Sequence, residues 1–287
     1  MSRYLLFSLA LALLLAGCSS TRLPLQPQAK FNADNALKLA QDYELQRRYA
    51  NAIDTYTFAL ELYASFAASE GQMHCLAGLA RIAHSQAADT EAEDYRLQME
   101  EIVRDIAPET APILLLYDLH LALDAGDYSR LSEQAVLSPG LDKTVEMQIL
   151  SYRIQADSYL KRADRDQVRR LERLAAKHVK KPLRKRQINP QILSQACYAL
   201  AYHHYTVENY PRAEKYVELS NRIDYSYGNF GSYAYGLWLQ GRIQAALSDE
   251  PEARSSYLRA RQIFQNFANL PMLDQVERDL NTLEENR

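Results

Sequence analysis

The sequence predicts an all-α fold, an α-solenoid of about six helical hairpins followed by a C-terminal capping helix. Three observations lead there. Small and aromatic residues recur at helical spacing in paired segments. Pro108, Pro112, Pro139, Pro182, Pro190, Pro211, Pro251 and Pro271 stand between apolar periodic segments or at their starts, where a missing N–H interrupts nothing. No run alternates apolar and polar residues between Asn-Gly or Asp-Gly turns, as the strands of a β-hairpin would.

In chain order, residues 1–17 read as an export signal. Arg3 precedes an apolar run from Leu5 to Ala16, too short for the roughly 20 residues a membrane-spanning helix needs. The run ends in Leu15-Ala16-Gly17-Cys18, which resembles the bacterial lipobox. The resemblance implies cleavage after Gly17, thioether lipidation of Cys18 and acylation of the new amino terminus. A thiol is needed there because its sulfur is the nucleophile that takes the diacylglyceryl group. Each buried methylene adds about 0.8 kcal/mol of membrane affinity, so several chains anchor without a spanning helix. The lipoprotein sorting rule implies that Ser19, standing in place of aspartate, directs the protein to the outer membrane. Residues 18–30 contain Pro24 and Pro27 without a helical period and read as an extended tether, of roughly 40 Å reach.

Residues 31–287 read as the helical domain. In the first hairpin, Leu39, Ala40, Tyr43, Tyr49, Ala52, Tyr56 and Ala59 place small residues where two helices approach and aromatics in the flanking gaps. This order resembles the tetratricopeptide repeat, with Ala36 in the usual tryptophan position. Leu237, Gly241, Ala253, Tyr257 and Ala260 hold the same relative places near the C-terminus, and Leu200, Ala201, Tyr210, Pro211 and Ala213 form a further hairpin. Between them lie weaker units near Leu76–Met99, Pro112–Ala135 and Tyr152–Ala175, spaced nearer 40 residues than 34. After Pro271, Leu273, Val276, Leu280 and Leu283 recur at intervals of three and four among charged residues, the pattern of a polar-faced cap. Cys75 and Cys197 lie three repeats apart, beyond the roughly 7 Å Cα limit of a disulfide, and read as small buried residues.

The tetratricopeptide resemblance implies a right-handed superhelix whose concave groove is lined by the first helix of each hairpin. Carried over position by position, it points to Arg153 and Asp157, then Tyr198, Tyr202 and Tyr205, then Tyr235, Trp238 and Arg242. Spacings of three and four residues put Tyr198, Tyr202 and Tyr205 on one helix face without the comparison. Such residues suit gripping an extended peptide or stacking on sugar rings, or serve simply as packing. The ninth positions, Gln41, Asp157, Tyr202 and Arg242, do not match the family's clamp for chaperone carboxylates.

Charge is uneven along the chain. Residues 161–187 hold twelve Lys and Arg against three Asp and Glu, in a protein of net charge −3. Within this stretch Arg169, Arg170, Arg173, Lys177, Lys180, Lys181, Arg184, Lys185 and Arg186 read as a basic ridge, either a solvated face or a site for an acidic partner, anionic lipid or phosphorylated glycan. Residues 180–189 read as a non-helical connector. Export makes nucleic acid an unsuitable partner.

Catalytic and metal-binding patterns are not evident. His203 and His204 diverge by about 100° on a helix and cannot converge on one ion. Glu100-Glu101 and Glu284-Glu285 read as solubilising charge. No nucleophile elbow or glycine-rich phosphate loop occurs. The expectation is therefore a non-enzymatic lipoprotein without cofactor, anchored on the periplasmic side of the outer membrane and scaffolding a protein complex of the envelope. The alternative is a peptide or glycan receptor, with peptidoglycan as one ligand.

Overall fold

The structure, a computed structural model, describes residues 28–179 and 188–285. Cys18, the export signal and Lys180, Lys181, Arg184, Lys185 and Arg186 of the basic segment lie outside the described residues. So does most of the segment read as a tether, whose last three residues already belong to the first helix.

Thirteen α-helices follow one another, with no strand among the described residues. They are α1 (Gln28–Leu45), α2 (Tyr49–Ser65), α3 (Ser69–Ser85) and α4 (Asp89–Glu101). Next come α5 (Ala111–Asp124), α6 (Tyr128–Gln134), α7 (Lys143–Tyr159) and α8 (Arg165–Val179). The series ends with α9 (Pro190–Thr206), α10 (Tyr210–Tyr227), α11 (Phe230–Ala246), α12 (Glu250–Asn266) and α13 (Leu270–Glu285). Pro112, Pro190, Pro211 and Pro251 sit in the first turn of their helices. The second hairpin begins at Ser69, earlier than the Leu76 from which its pattern was legible.

One turn geometry recurs. A left-handed residue ends the helix at Arg47, Ala67 and Ala87, and again at Glu208, Gly228, Ser248 and Ala268. The next N–H then bonds to the carbonyl five residues back, as in Arg48 to Tyr43 (2.9 Å) and Asn269 to Phe264 (3.0 Å). These positions recur every 20 residues in both stretches. A 17-residue helix with a three-residue turn thus makes a 40-residue hairpin, longer than the 34-residue tetratricopeptide unit. The rhythm breaks in the middle, where α4 runs into a π-turn at Ile102–Ile106 and a 3-10 turn at Pro108–Thr110.

Each helix packs on the next in chain order, and beyond that the odd-numbered helices touch their odd neighbours from α1 to α13. Even-numbered helices make no comparable contact with one another. The odd helices therefore crowd an inner wall while the even ones splay outside, which is what curves a serial stack into an arc.

Small residues set the approach. Ala40, Ala52, Tyr56 and Ala59 are inaccessible to solvent, whereas Leu39 is 45% exposed because no described residue covers that face of α1. Tyr56 and Tyr63 of α2 lie against Gly78 and Gly71 of the antiparallel α3, seven residues apart on both helices. Cys75 and Cys197 are both buried, and neither is in a disulfide among the described residues.

The arc brings its ends together. Arg47, in the first turn, donates to the Phe267 carbonyl and stacks its guanidinium 4.8 Å above the Phe267 ring, in the last turn. Successive turns alternate between the two edges of the stack, so these two lie on opposite edges. Their meeting shows that the rod winds round on itself.

Candidate functional site

The inner wall gathers polar and aromatic side chains from helices far apart in sequence. On α9, Tyr198, Tyr202 and Tyr205 are each partly covered, and on α11 Trp238 and Arg242 likewise, with Tyr235 37% exposed. The Arg242 guanidinium lies 5.1 Å from the Tyr205 ring centre and 5.2 Å from that of Trp238, held between two aromatic faces from neighbouring inner helices. It has no carboxylate or hydrogen-bond partner among the described residues, so its donors remain unspent.

The tyrosines share one environment. Burial pushes Tyr202 up to about 12, with Tyr128 and Tyr159 adding to the rise and Arg242 opposing it. Burial also raises Tyr198, and the Tyr202, Tyr235 and Tyr128 hydroxyls add to it. Tyr128 and Tyr159 stack at 3.9 Å between ring centres. These two belong to the aromatic wall, beside Tyr202. Tyr235 sets its ring edge-on to Phe264 at 5.1 Å, and its hydroxyl accepts from Asn269 Nδ2 at 3.0 Å.

Trp238 has two duties. Its indole N–H donates to Asp279 Oδ2 at 2.7 Å, and its ring packs with the cluster that joins α11 and α12 to α13. The tryptophan therefore latches the terminal helix and offers a ligand only its remaining surface.

Arg153 and Asp157, expected in the same groove, are placed elsewhere. Asp157 is 5% exposed and accepts from Ser132 Oγ at 2.5 Å, with the Arg153 and Arg162 Nε atoms at 3.5 and 3.3 Å. It joins α6 to α7 and serves as an internal hub. Together with Arg162 and Gln167 these residues line a separate depression of about 330 Å3, which none of the wall tyrosines enters.

The N-terminal half of the wall is charged. Arg81 Nε and Nη2 reach the two Glu44 carboxylate oxygens at 2.8 and 2.9 Å, and Tyr56 donates to the same carboxylate at 2.5 Å. Burial works to raise Glu44, but Arg81 and the Tyr56 hydroxyl outweigh it and hold the carboxyl below its usual range. His120 stands 3.4 Å from Asp124; burial depresses its pKa, and the Asp124 charge opposes the shift. Sequence reasoning missed this cluster. Nothing local pairs Glu44 with Arg81 thirty-seven residues on.

His203 and His204 indeed turn apart, His203 Nδ1 to Ser158 Oγ at 3.0 Å and His204 Nε2 to Glu172 at 3.1 Å. Among the described residues no group of His, Cys, Asp and Glu is arranged to hold a metal ion, and no helix is long and apolar enough to cross a membrane. No protein-family model matches the chain, and no curated protein does.

Proposed function

We propose that the protein is a non-catalytic binding module, lipid-anchored through Cys18 on the periplasmic side of the outer membrane, which scaffolds an envelope complex by gripping an extended segment of a protein partner. In this reading the fold is a right-handed superhelix of six tetratricopeptide-like hairpins closed by α13. The observation that carries it is Arg242, a cation clamped between Tyr205 and Trp238 with its donors unspent. Aromatic faces and a guanidinium fork suit a peptide that brings a carboxylate to an apolar stretch. Closure of the arc at Arg47 and Phe267 favours a slender ligand over a folded domain.

A soluble form lacking residues 1–18 tests the grip. Arg242→Ala is expected to weaken capture of a stoichiometric protein partner from envelope extract by roughly 10- to 100-fold, the cost of one charge-assisted bidentate contact, without loss of helicity. Equal capture by the variant refutes the assignment. A second reading, a glycan receptor, draws on the stacked Tyr128 and Tyr159 rings as a sugar platform; binding of muropeptides without a protein partner selects it. The anchor is tested separately. Cys18→Ala is expected to abolish incorporation of labelled palmitate and shift the protein to the soluble fraction, and retained label removes the lipoprotein assignment.

A further inference from the structure

Helix α8 carries a row of cations that the fold does not use. Its buried side is Val168, Leu171, Leu174 and Ala175, which join the core shared with α7 and α9. On the exposed side Arg165, Arg169, Arg173 and Lys177 follow one another at four-residue steps, one above the next along roughly 18 Å of helix. Like charges at this spacing repel and weaken the helix that bears them. Only Arg169 has a carboxylate nearby, Asp166 at 3.5 Å; Arg165, Arg173 and Lys177 have none among the described residues.

Facing this row, α10 contributes Arg212, Lys215 and Tyr216 to the far side of a groove of about 590 Å3. The groove's own Glu172 is already engaged, by His204 at 3.1 Å and Arg212 at 3.3 Å. Arg173 and Lys215 therefore face each other's wall without compensation, and the groove is net positive. Both helices are even-numbered, so this surface lies on the outside of the arc, away from the aromatic wall.

We propose that this outer groove binds phosphate groups displayed on an anionic lipid surface. The cations are too wet to hold a lone phosphate well, since the side chains of Arg169 and Arg212 are 71% and 58% exposed. A bilayer supplies many phosphates at once, and a straight row of cations on a convex face meets them together. The inference is independent of the inner-wall reading and of lipidation at Cys18.

The chain from Ser19 onward keeps every described helix and is the protein to use. It is sedimented with vesicles of phosphatidylcholine containing phosphatidylglycerol, and with vesicles of phosphatidylcholine alone. Binding is expected to the first only, and to weaken as salt rises. Arg173→Ala and Lys215→Ala are each expected to weaken it roughly fivefold, and both together with Arg169→Ala on the order of a hundredfold, while Arg173→Lys binds as wild type. Thermal melting of the triple variant is expected to match or slightly exceed wild type, because Arg173 and Lys215 have no carboxylate partner among the described residues and the exposed Arg169–Asp166 pair contributes little. Equal binding to the two vesicles, or undiminished binding by a triple variant that melts normally, overturns the proposal. Inorganic phosphate that displaces the protein at concentrations comparable to the lipid phosphate also overturns it, because the groove then takes a soluble anion.

Discussion

Gly78→Ala lowers the melting temperature by on the order of 10 °C, a large loss for the addition of a single methyl group. A Cβ at this position falls 2.3 Å from Tyr56 Cζ, well inside contact distance. The ring has nowhere to go: Tyr56 is wholly buried, and its hydroxyl is fixed on Glu44, which Arg81 grips in turn. Helix α3 must therefore move away from α2, and because every hairpin stacks on its neighbour the disturbance spreads along the inner wall. Overpacking of this kind costs about 3 kcal/mol, which in a chain of this size corresponds to that shift. Gly231→Ala is the internal control, since nothing lies within 4 Å of its Cβ and its φ is not positive; it is expected to be neutral or slightly stabilising. Circular-dichroism melts of the two variants check the pair. Equal melting temperatures contradict close nesting of α2 and α3.

The second large effect is a dependence on pH. Asp224 is buried beside Ser194, Ser220 and Asn229, and burial raises its carboxyl to about 7 against those hydrogen bonds. In the unfolded chain the group titrates near 3.8. Below that value both states hold the proton, and the native packing is free of penalty. As pH rises from about 4 to 7 the unfolded state loses its proton first, so stability falls throughout this window and levels off above it. A displacement of about three pH units corresponds to roughly 4 kcal/mol at most. Asp224→Asn is expected to leave stability at pH 4 unchanged and to raise it by a few kcal/mol at pH 8, measured by urea denaturation at both. His203, which burial lowers to about 4 beside Ser158, acts in the opposite sense and removes stability as pH falls from 6.5 toward 4. Its contribution is common to variant and wild type, so their difference isolates Asp224. An Asn variant that parallels wild type at every pH refutes the assignment.

The helices were legible because their signals are local. Prolines at first turns, small residues at Ala40, Ala52 and Ala59, and the terminal row Val276, Leu280 and Leu283 act within a turn or two of the backbone. The face shared by Tyr198, Tyr202 and Tyr205 was legible for the same reason. Legibility failed at Arg153 and Asp157, where the position was read correctly on its helix but Ser132 and Arg162 had claimed the carboxylate from other elements.

The sequence by itself determined an all-helical chain in serial order, with a small-residue seam and a set of tyrosines on successive helices, since these follow from backbone preferences and short-range spacing. Tertiary structure alone decided that Arg242 lies between Tyr205 and Trp238, that Glu44 meets Arg81, and that Arg47 closes on Phe267 across 220 residues. Each of those contacts depends on the accumulated rotation from one hairpin to the next, a quantity that small changes in packing angle add up over thirteen helices and that no local pattern encodes.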